Sequence, residues 1–163
     1  MKRRQTKDPR TARRWLVADE RMGVELWNAV RKLPRGSGVL VLYPDLPKGE
    51  RAKLVARLRH IARVRGLVLA DESAGEAVRV HNLPELRRAL YRRVPMILLS
   101  PLNSTRSHPE WRPIGRMRAA ALARLSGRRL LALGGMNERK FRRIECLGFQ
   151  GWAGIDAWLR DLR

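Results

Sequence analysis

The chain has 163 residues, of which 44% are hydrophobic, and this is enough for one domain with its own core. A single cysteine excludes an internal disulfide and favours a reducing, cytoplasmic setting, and the sequence has no apolar run of the ~18 residues that a membrane span requires. The formal net charge is +21, from 36 lysines and arginines against 15 aspartates and glutamates, which attracts phosphorylated small molecules and polyanions.

The chain starts with a basic segment, and the other positive charges are dispersed along it. Residues 1–14, MKRRQTKDPRTARR, predict a basic disordered tail in front of a single domain at 15–163. The other arginines are spread over predicted helices, and no RNP-like or zinc-finger pattern is present. This dispersal is typical of a solvated basic surface and does not favour specific nucleic-acid recognition, although a basic nucleic-acid-associated protein is kept as an alternative.

From Trp15 onward, short apolar runs alternate with amphipathic stretches. The apolar runs predict seven strands, at 15–19, 39–43, 66–70, 77–80, 96–100, 129–133 and 149–154. Helices are predicted at 24–33, 48–64, 83–91, 116–125, 138–147 and 155–162. This alternation is typical of a parallel sheet covered by helices. We therefore expect an α/β fold, a shortened TIM-like (β/α) barrel of about seven parallel strands with surrounding helices, and keep an open doubly wound sheet as the alternative.

Two stretches carry phosphate-directed groups immediately after predicted strands. In Ile97–Gly115, ILLSPLNSTRSHPEWRPIG, a strand leads into a polar loop, whose side chains are Ser104, Thr105, Arg106, Ser107 and His108. The strand at 129–133 ends in Gly134 and Gly135, before a helix that Asn137 could cap. Glycine turns offer backbone N–H groups to anions, and hydroxyls and an arginine add donors. A phosphate site at the carboxyl-terminal rim is the prediction, and an ordinary surface loop is the alternative.

The same residues resemble the C-terminal half of the thiamine phosphate synthase/thiazole tautomerase family. The resemblance rests on SPLNSTRSHP followed by PIG, then ALGGM, then GFQGWAGIDAW, and it covers 95–158. WLVADERM, at 15–22, is similar to the first strand of the family. The resemblance implies a transferase that joins an aminopyrimidine methyl group, taken from its diphosphate, to a thiazole phosphate and releases pyrophosphate.

The resemblance also implies roles for residues. Phosphorylated thiazole and pyrimidine small molecules would be held by Ser104, Thr105, Ser107, Gly134 and Gly135, with Arg106 and His108 in the same loop. His81 and Asn82, which end the fourth strand, would lie near the pyrimidine. If the chain is catalytically active, Mg²⁺ would bind Asp71, with Asp19 as a second candidate, because Mg²⁺ prefers oxygen ligands. A helix cap or a loop carboxylate explains Asp19 equally well.

Several residues of the family enzymes are missing. His108 stands where the enzymes have a lysine, the second strand lacks their Arg-x-Lys pair, and Pro101 occupies the place of the tautomerase histidine. About one β/α unit, with a metal aspartate, is missing between Gly66 and His81. A non-catalytic relative that binds a phosphorylated thiamine precursor is therefore an alternative to an active synthase. A shortened barrel also leaves a strand edge that a homodimer would cover.

Overall fold

A computed structural model describes residues 12–105, 109–127 and 129–159. The strands of this part are β1 (Arg14–Asp19), β2 (Gly38–Leu42), β3 (Val68–Asp71), β4 (Ala77–Val80), β5 (Met96–Leu99), β6 (Leu130–Ala132) and β7 (Gly151–Gly154). Its α-helices are α1 (Glu25–Lys32), α2 (Lys48–Arg65), α3 (Leu83–Tyr91), α4 (Arg116–Leu125), α5 (Glu138–Arg142) and α6 (Asp156–Leu159). Arg106, Ser107 and His108, which the sequence places in the phosphate site, lie outside the described residues.

The seven strands form one parallel sheet in the order β3-β2-β1-β7-β6-β5-β4. The first strand pairs with the last, which is how a barrel closes, whereas a doubly wound sheet would reverse its strand order at the centre. The predicted fold is confirmed: the protein is a nearly closed TIM-like barrel with surrounding helices.

The barrel is open between β3 and β4, which do not pair with each other among the described strands. These two strands are joined by a single 3-10 turn, Glu72–Ala74, whereas an α-helix lies between every other pair of consecutive strands. The region from Gly66 to His81 thus keeps two strands and lacks the helix between them. The two unpaired edges are the ones that the predicted homodimer would cover.

The core has an inner and an outer part because successive strand residues face opposite sides of the sheet. Trp15 and Val17 point into the barrel and pack with Leu40 and Leu98, whereas Leu16 packs against the outer helices. Trp15 is fully buried, and its indole N–H donates to the Ala12 carbonyl at 3.0 Å. The interior is therefore filled by side chains, as in other small barrels.

Two sequence predictions need correction. Ala12 is 1% exposed and β1 begins at Arg14, so the folded domain starts before residue 15, and 12–14 do not belong to a tail. Cys146 lies between Ile144 and Leu147, and this apolar setting predicts a buried packing residue, but the cysteine is exposed. The reason is that helix α5 ends at Arg142, and Cys146 lies in a separate 3-10 turn, Glu145–Leu147.

No helix in the described part combines the length and apolarity that crossing a membrane requires.

Gly38 should be sensitive to substitution because β2 passes against the face of Trp15. A Cβ atom at this position would lie 2.2 Å from the indole ring. We expect Gly38→Ala to lower the free energy of unfolding by about 1–3 kcal/mol, measured by urea denaturation, since an overpacked core must shift. Gly49→Ala is the control, because Gly49 lies in α2 with open space around it. Equal stability of the two variants would contradict the packing account.

Candidate functional site

A cavity of about 930 Å³ opens at the carboxyl-terminal ends of the strands. This is the end at which the loops of a parallel barrel converge, so it is where the sequence predicts the site. The residues that line it include Asp19, His81, Ser104, Thr105, Trp111, Gly134, Gly135 and Lys140. Its volume is at the upper end of the ~300–1,000 Å³ usual for small-molecule sites.

The loop after β5 packs directly on the glycine turn after β6. A Cβ atom on Gly134 would lie 2.9 Å from the Pro101 Cα, and one on Gly135 would lie 2.8 Å from the Ser104 carbonyl oxygen. Both glycines have positive φ, +103° and +54°, which other residues rarely adopt. The turn therefore requires glycine for its conformation and for the close approach of the loop. Ser104, Gly134 and Gly135 are brought together as predicted, and Thr105 lines the same cavity.

The two carbonyl groups of this glycine turn accept hydrogen bonds from neighbouring side chains. The Asn103 side-chain amide donates to the Gly134 carbonyl at 3.1 Å, and the Lys140 ammonium donates to the Gly135 carbonyl at 2.7 Å. Neither glycine N–H donates to an acceptor among the described residues. Adjacent backbone N–H groups in such a turn form a concavity that binds anions.

Lys140 is a cavity residue that the sequence analysis missed. It lies in α5, whose N-cap Asn137 accepts a hydrogen bond from the Lys140 N–H at 2.9 Å, as the predicted cap requires. Its ammonium reaches back to Gly135 because long helical side chains lean toward the N-terminus of their helix. No ion pair joins it to a described carboxylate. The sequence signal that could have identified it is a lysine in the first turn of the helix that follows a Gly-Gly pair.

His81 lies in the cavity, but its neighbour Asn82 does not. The His81 Nδ1 is 2.8 Å from the Ser100 carbonyl oxygen, which can only accept, so Nδ1 carries the proton and Nε2 is an acceptor in the neutral ring. The ring meets Trp111 edge-on, with centroids 5.3 Å apart. Asn82 instead caps α3: its Oδ1 accepts from the Glu85 N–H at 2.9 Å, and its amide donates to the Glu85 carboxylate at 2.7 Å. Asn82 is thus the N-cap of α3, and its contact with a substrate stays a prediction.

The two predicted magnesium ligands do not lie together. Asp71 is buried, pairs with Arg51, caps the following turn through the Ser73 N–H at 2.9 Å, and does not line the cavity. Asp19 does line the cavity, and Arg21 Nε donates to it at 2.8 Å. Strand β2 separates the strands that carry them. No group of three or more His, Cys, Asp or Glu side chains that could hold a metal occurs within 12–105, 109–127 and 129–159.

Tyr43 fixes the end of β1 beside the cavity. Its hydroxyl donates to the Asp19 carbonyl oxygen at 2.8 Å. Burial raises the pKa of the Tyr43 phenol above its usual value, and the negative charges of Asp19 and Glu20 raise it further. The hydroxyl therefore stays protonated, and this hydrogen bond persists, throughout the neutral range.

Comparison with known proteins supports the fold. No protein-family model matches the chain, and no curated protein matches it in sequence. Among solved structures, the chain is similar to a thiamine phosphate pyrophosphorylase from Pyrococcus furiosus, with a TM-score of 0.74 and 17% identity. The match covers 94% of this chain and 96% of that chain. The comparison therefore supports the nearly closed TIM-like barrel of this chain.

Proposed function

We propose that the chain binds a phosphorylated thiazole in its cavity, with the phosphate on the glycine turn. The observation that carries this proposal is the glycine turn itself: the N–H groups of Gly134 and Gly135 have no described acceptor, and both glycines line the same cavity as Lys140. Two adjacent backbone donors and a cation match the oxygens and charge of a phosphate.

The rest of the cavity suits a small heterocycle attached to that phosphate. Ser104 and Thr105 supply hydroxyls from the loop that packs on the turn. Trp111 lines the cavity, and His81 offers an aromatic edge and one acceptor nitrogen. Ligand sites commonly combine such apolar surfaces with a few placed polar groups.

Transfer of the aminopyrimidine methyl group is a second candidate function, favoured by the size of the cavity. In that reaction the carbon–oxygen bond to the diphosphate breaks, the thiazole nitrogen forms the new carbon–nitrogen bond, and pyrophosphate leaves. About 930 Å³ leaves room for both substrates. The two predicted carboxylate ligands are not arranged to coordinate Mg²⁺, because Asp19 pairs with Arg21 and Asp71 pairs with Arg51.

A thermal-shift series tests the binding proposal. At about 100 times its dissociation constant, thiazole phosphate should add ~2.7 kcal/mol of stability and raise Tm by about 5–10 °C. Thiamine phosphate is included as a second phosphorylated ligand, and pyrophosphate with Mg²⁺ as an anion control. A shift with pyrophosphate alone would contradict the proposal. Formation of thiamine phosphate from both substrates with Mg²⁺ would separate the transferase from a binding protein.

A further inference from the structure

The two ends of the barrel differ in charge. In a parallel barrel, the strands end and the helices begin at one end, and the helices end at the other. Eleven of the 15 acidic residues lie at the cavity end, in the strand exits and first helical turns. They are Asp19, Glu20, Glu25, Asp45, Glu50, Asp71, Glu72, Glu85, Glu110, Glu138 and Asp156.

The opposite end is almost free of acidic residues. We define the arginine end by the described last helical turns and following loops, in which Glu145 is the one acidic residue: 31–37, 63–67, 91–95, 124–127 with 129, and 142–150. Its described cations, all exposed, are Arg31, Lys32, Arg35, Arg63, Arg65, Arg92, Arg93, Arg124, Arg129, Arg142 and Arg143. The helix dipole favours cations and disfavours carboxylates in the last helical turn, but its effect ends there, whereas Arg35, Arg93 and Arg129 lie in the loops beyond the helix ends.

The cations of the arginine end are largely without carboxylate partners. Among them, Arg142 is the one that pairs with a described carboxylate, that of Glu138, at 3.6 Å. Arg93 has φ +54°, the one positive φ of a non-glycine residue in the described part. Strained backbone of this kind persists where the surrounding structure imposes it and is frequent at functional sites.

Exposed apolar side chains lie between these arginines. Val64 is 69% exposed between Arg63 and Arg65, and Tyr91 is 89% exposed next to Arg92. Leu125 is 51% exposed at the end of α4. They lie on three different helices and therefore form no continuous apolar helix face of the kind that inserts into a lipid surface.

We infer that the arginine end binds the phosphate backbone of single-stranded nucleic acid, independently of the cavity. Ten of its eleven described cations are arginine, whose planar fork matches phosphate oxygens, and Tyr91 offers an exposed ring on which an unpaired base stacks. Contacts of this kind read charge rather than sequence, in agreement with the absence of a sequence-specific binding motif.

The test is fluorescence anisotropy with a labelled 20-nucleotide single-stranded RNA at several salt concentrations. The variant R63Q/R92Q/R124Q removes three exposed cations from the arginine end. The control K53Q/R87Q/R118Q removes three exposed cations from earlier positions on the same helices. At ~0.7 per lost contact, the slope of log K against log salt should fall by about 2, and binding at 0.1 M salt should weaken about a hundredfold. The control should weaken binding by less than about tenfold.

Three results would overturn this inference. In the first, the parent chain does not bind RNA at 0.1 M salt. In the second, the two variants weaken RNA binding equally. In the third, R63Q/R92Q/R124Q loses binding to phosphatidylserine vesicles while its RNA binding is unchanged. The last would identify an anionic lipid surface as the partner. Saturation with thiazole phosphate should leave RNA binding unchanged, since the cavity is at the other end. Both variants should retain the parent Tm, which establishes that they fold.

Discussion

Replacing Gly135 by aspartate should weaken binding of thiazole phosphate about a thousandfold. The new carboxylate would lie where we propose the phosphate binds, and two like charges about 4 Å apart repel by ~4 kcal/mol at an effective dielectric constant of ~20. The side chain also has no space, because the Cβ would approach the Ser104 carbonyl oxygen to 2.8 Å. Isothermal titration calorimetry on the folded variant measures the loss.

Two controls separate charge, shape and stability in this experiment. Gly135→Asn adds a side chain of the same size without charge, so binding should be weaker than in the parent but stronger than in Gly135→Asp. Gly75→Asp adds the same charge at another glycine of positive φ, +76°, that has open space and does not line the cavity. It should lose stability and keep its affinity. If Gly75→Asp weakens binding as much as Gly135→Asp does, the glycine turn is not the phosphate site.

Lys140→Met should weaken binding of thiazole phosphate about 10–100-fold. A hydrogen bond to a charged group is worth ~1.5–3 kcal/mol, and methionine keeps the length and helix propensity of the lysine stem. The same substitution should reduce the preference for the phosphate over the unphosphorylated alcohol, because the ammonium contacts the phosphate alone. Calorimetry with the two ligands measures both effects.

The matched control for Lys140 is its neighbour Arg139. Arg139→Met removes the same unit charge from the same helix, but Arg139 does not line the cavity. Lys140→Arg, which keeps the charge, should recover part of the affinity if the role is electrostatic. Equal losses in Lys140→Met and Arg139→Met would show that general charge, and not a phosphate contact, is responsible.

The barrel itself was predictable because its strands are short and buried on both faces. Continuous apolar runs such as VLVLY and MILLS indicate such strands without any knowledge of their tertiary contacts. The helices between them are indicated by the spacing of their apolar residues. The reduced crossover between β3 and β4 was harder to interpret, because the sequence shows that a segment is short but not which element is lost.

The contact between the loop after β5 and the glycine turn after β6 was also predictable from the sequence. The loop after β5 and the glycine turn after β6 meet because neighbouring parallel strands end at the same rim, so Ser104 and Gly135 had to be close. The capping role of Asn82 was also readable from its spacing to Glu85 but was overlooked. By contrast, the pairing of Asp71 with Arg51 joins β3 to α2, and no local pattern indicates such a tertiary contact.

The central claim is that the cavity recognises a phosphate through the glycine turn. The most direct measurement is a calorimetric titration of the unmodified chain with thiazole phosphate and, in parallel, with the corresponding unphosphorylated alcohol. We predict that the phosphate binds at one site and that the alcohol binds at least about a hundredfold more weakly, since two N–H donors and the Lys140 ammonium lose their partner. Equal affinity for the two ligands, or no binding of either, would contradict the claim.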